Sequence, residues 1–381
     1  MMVVSPNRLL NRGSAFSPRR LFAAGVAGVW FDPSDLSTMF QDAAGTTPAA
    51  VDSVVGLMLD KSKGLALGPE LVTNGGFDSF LTGWSLLNTD ATNTITWENG
   101  SARFVGDGST ALAMSQSVTT TDKWYKIVVD VAELSGALKI QCSTNADIGN
   151  FSAPGVYTYR AKATGNTFFI YRRDAGAAVN ALIRSVSIRE LHGYHASQAT
   201  TASKPILRQD AAGRYYLEFD GVDDYLLTAG FATSDALTIM YGATFSDVAV
   251  FGRLAIKWDG AVGIHIQKNG TNDSVLPRID TALMTNQAMN ASPVGVLVPH
   301  IGSFTASAGD FRARKNGGSW SVKSYIGDLS NSAGVGVGGS ADGSQTKWKG
   351  ALYGLIIAGK LATDAEIQRA ERWLNRKTGA Y

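Results

Sequence analysis

From about residue 70 onward, apolar and polar residues alternate in short runs rich in Thr, Val, Ile, Phe and Tyr, separated by Gly and Asn. A period of two fits strands with one face on a core and the other on solvent. Thr94-Ile95-Thr96-Trp97 and Ala102-Arg103-Phe104-Val105 flank Asn99-Gly100, which supplies the positive φ of a tight turn, so the two runs are expected to form a hairpin. Further strands are expected at 123–133, 137–143, 155–163, 167–173 and 181–190. No helical period interrupts them, which predicts an antiparallel sandwich of roughly 120 residues. A second block opens with Arg214-Tyr215-Tyr216-Leu217-Glu218-Phe219. Leu254–Trp258 and Val262–Ile266 around Asp259-Gly260 predict another hairpin there, followed by strands at 294–307, 310–316, 318–325, 333–338 and 347–358. This block predicts a larger sandwich.

The period changes at the two ends. Ile367, Ala370, Trp373 and Leu374 recur at helical spacing, after Thr363 and Glu366 at the spacing of a capping box and before Gly379 as a stop. That apolar stripe is expected to pack on the sandwich. Residues 1–25 show neither period: Arg8, Arg12, Arg19 and Arg20 accompany Pro6 and Pro18, and no acid precedes Asp32. They read as a basic arm, either an anchor that orders on a larger assembly or a solvated tail. A short helix or turn is expected at 33–40, with Asp32 or Ser34 as its cap.

Composition narrows the function classes. A chain of 381 residues has room for two sizeable cores or one enlarged sandwich. Charged residues make up 17% and glycines number 42, a balance suited to β-sandwiches. A net charge of +2 gives no argument for nucleic acid or an anionic membrane as partner. Cys142, alone of its type, sits in the alternation Leu138-Lys139-Ile140-Gln141-Cys142 and is expected to be a buried structural thiol. With no apolar run of membrane-spanning length and no secretory-type apolar core near the start, membrane insertion is not expected, and assembly is expected in a cytoplasm. His192, His195, His265 and His300 lack the close spacing of a metal motif, and neither a Gly-x-Ser-x-Gly elbow nor a Walker loop is present. Gly334–Gly339 reads as a strand and turn, and no motif pairs two carboxylates as a glycosidase requires. The expectation is a protein that is not an enzyme.

Three segments carry a resemblance. Residues 29–48, from Val-Trp-Phe-Asp-Pro-Ser-Asp-Leu to Ala-Gly-Thr-Thr-Pro, Tyr216–Leu227 with Phe219-Asp220-Gly221-Val222-Asp223-Asp224-Tyr225, and Leu352–Gly379 resemble phage structural proteins that carry a concanavalin A-like (laminin G-like) domain. In such proteins a segment like Leu57–Ser62 tends to run directly into one like His195–Thr200, with Pro205 beyond; here about 130 residues intervene. That middle opens Glu70-Leu71-Val72-Thr73-Asn74-Gly75-Gly76-Phe77-Asp78, with Gly83-Trp84 after it, and is similar to the start of many carbohydrate-binding jelly rolls. The resemblance implies an all-β chain of two antiparallel β-sandwich (jelly-roll) domains with a basic N-terminal arm and one C-terminal helix. The arm would span 1–25, the discontinuous outer sandwich 26–66 and 193–381, and the inserted jelly roll 67–192. Insertion into an exposed turn is physically cheap because sandwich ends lie close together.

In such jelly rolls, sugar faces stack on exposed rings. The resemblance therefore implies Trp84, Trp97, Trp124, Tyr125 and Tyr171 as ligand-binding candidates, with Tyr157, Tyr159 and Phe169 as further rings and burial in a core as the alternative. Trp124 and Tyr125 are neighbours on one strand, so only one of them is expected to face the core. A structural calcium often accompanies these modules; Glu70 and Asp78 stand in the matching early region as metal candidates, while the late strand Ile183-Arg184-Ser185-Val186-Ser187-Ile188 lacks the Asp often present there. Asp220, Asp223 and Asp224 either bind a cation or shape a turn.

The implied function is a virion structural protein, a tail or head fibre or appendage, that attaches to host surface glycans without catalysis. Its arm would dock on other virion proteins, and it would form a homo-oligomer, a trimer by analogy with phage fibres. A decoration protein with a purely structural role is the alternative reading, and a polysaccharide depolymerase a third.

Overall fold

The computed structural model describes residues 16–381 apart from 144–146, 175, 246–251, 261, 270–271, 280–281, 284–297, 308, 325–327 and 340–346. The chain is all-β, built of antiparallel sheets, with one α-helix among the described residues. Among the described residues, strands from Leu67–Glu70 to Val179–Leu191 pair only with one another, in a five-stranded and a six-stranded sheet. The strands before and after them form an eight-stranded and a nine-stranded sheet.

The five-stranded sheet runs Asp147–Phe151, Leu138–Gln141, Phe168–Arg172, Ala113–Gln116, Ser85–Leu87. Its inward residues Met114, Leu138, Ile140, Phe168 and Ile170 meet Ile127, Val129, Val131, Ile183 and Ile188 of the six-stranded sheet in one core. Cys142 belongs to this core, and burial pushes its thiol up to about 12, as a structural cysteine requires. The expected hairpin is present: Asn99 and Gly100 have φ of 47° and 77°, and Thr96 pairs Arg103.

The strand Leu237–Phe245 is buried at every position. One face meets Phe31, Leu217 and Leu355 in the core of the larger sheets. On the other, Met240 packs with Ile301 and Ile356 beneath Ile367, Ala370 and Leu374 of the helix Asp364–Thr378. A strand covered on both faces loses its alternation, so the period-two pattern passes over it. The helix starts at the expected capping box, with the Thr363 N–H donating to Glu366 Oε2 at 2.9 Å, and ends at Gly379 with φ of 63°.

Two expectations at the N-terminal end are corrected. Residues 1–15 of the expected arm lie outside the described residues, but Pro18–Gly25 forms a 3-10 helix whose Leu21 and Phe22 pack with Trp30, Ile356 and Trp373. Leu21 and Phe22 bury apolar surface that a free arm would leave wet, so the folded unit begins before residue 26. The short helix at Leu36–Thr38 has Asp35 at its N-cap, while Asp32 instead accepts from the Ser34 N–H and hydroxyl. Of the glycine-rich stretch, Val335–Val337 is a strand; Ser340–Gly343 lies outside the described residues.

The chain leaves the larger sheets after residue 59 and returns to them near residue 195. Buried Asp60 joins the two crossings: its carboxylate accepts from the N–H groups of Trp30 (2.9 Å), Ser62 (2.8 Å) and Tyr194 (2.9 Å) and from the Ser62 hydroxyl (2.7 Å). Its own N–H donates to His195 Nδ1 at 2.9 Å. Burial pushes His195 down to about 3, so the ring is neutral and Nδ1 keeps the lone pair that this bond needs.

Candidate functional site

The candidate rings divide by exposure. Trp84 is 8% exposed, with its indole N–H on the Asn74 carbonyl at 3.3 Å and its ring against Phe77. Tyr159 is buried, and Tyr157 is half-buried against Phe151 with its hydroxyl on the Ala153 carbonyl. Trp124 and Tyr125 are 3% and 2% exposed. The alternation argument holds for direction, since Tyr125 enters the core of the smaller sandwich and Trp124 the opposite face. It fails for exposure. The face carrying Trp124 is covered by Phe40, Leu57 and Leu59 from the larger sheets, and the ring lies 5.2 Å from His195. Trp84, Trp124 and Tyr125 thus offer no open ring face for a sugar, which corrects their assignment as ligand contacts.

Phe169 and Tyr171 differ. On Phe168–Arg172, Phe168 and Ile170 point into the core, so Phe169 and Tyr171, one position out of phase, share the outward face and are half-buried. Their rings stack with centroids 5.1 Å apart and planes at 24°. Strand register surrounds them: Lys139 pairs Tyr171 and Gln141 pairs Phe169 on one side, while Ala113 and Ser115 stand opposite the same rings on the other. The Lys139 ammonium lies 5.7 Å from the Tyr171 centroid and 3.2 Å from Asp147, whose carboxylate also accepts from Gln141 at 2.6 Å. Two fixed rings at the centre of a sheet face, small residues on one flank and a polar, charge-paired flank on the other make a platform for a flat, hydroxylated ligand.

Trp97 is the second open ring, 39% exposed, and lies 4.9 Å from Phe80, which is 67% exposed. The Trp97 indole N–H is fixed on the Phe77 carbonyl at 2.7 Å. Phe80 has φ of 54°, an uncommon backbone for a bulky residue, and Asn74 holds its loop by donating to the carbonyls of Ser79, Phe80 and Thr82. Sequence reasoning missed Phe80, because nothing in the alternation marks a ring placed on a loop by a distant amide.

The metal candidates do not assemble. Glu70 Oε1 accepts from the N–H groups of Leu71, Val72 and Ile188, at 3.1, 3.1 and 2.8 Å, and Oε2 accepts from the Ser187 hydroxyl at 2.6 Å. Those four bonds engage both oxygens, and the two from Ile188 and Ser187 tie the strand Leu67–Glu70 to the end of Val179–Leu191. Asp78 is exposed on the loop beyond. A hydroxyl stands where a second carboxylate is needed, so this donor set does not fit a structural calcium. Among the described residues, the cluster of three potential ligands within 4.8 Å is Asp220, Asp223 and Asp224. Asp220 accepts from the N–H groups of Val222 and Asp223, Asp224 accepts from the Asp220 N–H, and Asp223 accepts from the Ser203 hydroxyl, the bonds of a carboxylate-built turn. Burial, then the neighbouring carboxylates, raise Asp224 to about 6.

No protein-family model matches the chain, and no curated protein matches it. Among solved structures, it is similar to the tandem of two CBM22 modules at the N-terminus of a Paenibacillus barcinonensis protein, at 12% identity over 76% of this chain and 98% of that one, with a TM-score of 0.28. It is also similar to Trypanosoma rangeli sialidase, at 8% identity over 86% of this chain and 60% of that one, with a TM-score of 0.34. The all-β assignment rests on the sheet topology itself.

Proposed function

We propose that the protein binds glycans without transforming them, through the outward face of the five-stranded sheet, and that it serves as an attachment component of a phage particle. The observation that carries the glycan reading is the stacked, half-buried Phe169–Tyr171 pair flanked by Lys139 and Gln141 in register. A pyranose ring presents C–H groups on its faces and hydroxyls at its rim, so it lays a face on the rings and turns its rim to polar side chains. The particle role is supported by the resemblance of residues 29–48, Tyr216–Leu227 and Leu352–Gly379 to phage structural proteins. Each site is shallow, and a homo-oligomer would add weak contacts into avidity.

The test is binding of labelled protein to host-type cells and to their extracted surface polysaccharide, beside a Phe169→Ala, Tyr171→Ala variant with native circular dichroism. Both rings face outward, so the variant keeps its core. Saturable binding that the variant loses is the expected result. No binding by the wild type would instead favour a structural decoration role, and depolymerised product would establish an enzyme.

A further inference from the structure

We infer that the strand Thr94–Trp97, at the open rim of the smaller sandwich, pairs with the same strand of a second copy of this chain across a two-fold axis. Both sheets of that sandwich end at this rim, the six-stranded one at Thr94–Trp97 and the five-stranded one at Ser85–Leu87. At the opposite rim they end at Gly155–Lys162 and Asp147–Phe151, and those edges are blunted. Arg160 and Lys162 put charge on one and Asp147 on the other, and the Arg160 N–H donates to the Ala44 carbonyl at 2.7 Å. Thr94–Trp97 carries no charge and no proline, and among the described residues only Ala102–Gly106 pairs with it. An edge of that kind is a template for another strand. Phe80, Leu86 and Trp97 expose apolar side chains at the same rim, as contact surfaces do.

The hairpin fixes the register of the pairing. The Glu98 N–H donates to the Ser101 carbonyl at 2.9 Å, and from there bonded and non-bonded pairs alternate down the two strands. Thr96 and Thr94 therefore turn their backbone N–H and C=O groups toward Arg103 and Val105, while Ile95 and Trp97 turn theirs outward. A two-fold copy satisfies the outward groups when Ile95 of each copy meets Trp97 of the other, which sets Thr96 against Thr96 on the axis. The same register sets Glu98 against Thr94, so no like charges stand opposite, and Arg103 is already paired with Glu98 and Glu133. A self-complementary edge closes as a dimer and not as a trimer. The Phe169–Tyr171 face belongs to the other sheet, so both copies keep it open and the dimer stands without the glycan reading.

Sedimentation of the full chain at about 100 μM, with cysteine crosslinking, tests the inference; a dimer is expected. In a non-bonded antiparallel pair the two Cα atoms lie about 4.5 Å apart, within reach of a disulfide, so Thr96→Cys is expected to form a covalent dimer under a mild oxidant. In Thr94→Cys the two thiols stand about 14 Å apart along the strands and stay free. Cys142 is buried, with its thiol pushed up to about 12, and does not compete. Thr96→Lys sets like charges opposite each other and is expected to raise the dimer dissociation constant about fivefold or more, with circular dichroism unchanged. A monomer or a trimer in sedimentation, crosslinking of Thr94→Cys as fast as of Thr96→Cys, or a Thr96→Lys dimer as tight as the wild type overturns the inference.

Discussion

Glu371 is a charged residue inside the apolar stripe of the C-terminal helix, and its removal has a calculable cost. Its carboxylate is buried against Arg314, with Nε at 2.8 Å from Oε1 and Nη2 at 2.7 Å from Oε2, and the Ser303 hydroxyl donates to Oε1 at 2.6 Å. The guanidinium lies 4.3 Å from the Trp320 centroid. Three charge-assisted bonds thus pin the helix to the strands His300–Ser307 and Asp310–Lys315. Glu371→Gln preserves shape and so opens no cavity, but it leaves the Arg314 charge buried and uncompensated. Breaking one side of a buried pair costs about 3–5 kcal/mol, against at most about 1 kcal/mol for an exposed pair. Because Gln still accepts one bond, about 3 kcal/mol is expected for Glu371→Gln, and a Glu371→Met, Arg314→Met double variant should recover most of it. Urea denaturation followed by tryptophan fluorescence reads the loss, since Trp373 packs on Trp30 with centroids 5.6 Å apart and reports helix undocking. Two sandwiches need not unfold in one step, so the transition carrying that signal is the one to fit. A loss below about 1 kcal/mol, or a double variant worse than the single one, would refute the reasoning.

Two further outcomes follow from buried ionisable groups. The Lys257 ammonium is buried among the carbonyls of Phe231 (2.9 Å) and Ala333 (2.7 Å) and Asn331 Oδ1 (2.8 Å); the Ala333 carbonyl also accepts from the Phe231 N–H and Asn331 Oδ1 from the Ala333 N–H, so Lys257→Met strands the Phe231 carbonyl and should cost about 1–3 kcal/mol in the same assay; a neutral result contradicts the cradle. Asp224 is raised to about 6, so the native state holds its proton more tightly than the unfolded chain between about 4 and 6, and ionisation above that window weakens the fold. Asp224→Asn should therefore be more stable than the wild type at pH 7, with the difference vanishing as pH falls toward 4; a pH-independent difference would show that the carboxylate is not desolvated.

Local rules made much of the fold legible. The Asn99-Gly100 hairpin, the Thr363–Glu366 capping box and the alternating strands of the smaller sandwich each depend on neighbours in sequence. What the alternation could not reveal was how many layers cover a face. Leu237–Phe245 is buried on one side by the core of the larger sheets and on the other by a helix more than a hundred residues away, and Trp124 is buried because a second sandwich covers its outward face. The same limit governs the candidate rings. Tyr171 and Phe169 differ from Trp84 and Tyr125 only in what stands opposite them, which is a property of register and packing. Glu371 sits in the apolar stripe because its partner comes from a distant strand, which spacing alone does not show.

The central claim, that the Phe169–Tyr171 face takes a glycan, is tested most directly by hydroxyl-radical footprinting of the protein with and without saturating host-type surface polysaccharide. Oxidation of Phe169 and Tyr171 is expected to fall on binding while that of Phe80 and Trp97 does not. Unchanged oxidation at Phe169 and Tyr171 with the glycan bound would contradict it, and loss at Phe80 and Trp97 would move the contact to the Asn74-held loop.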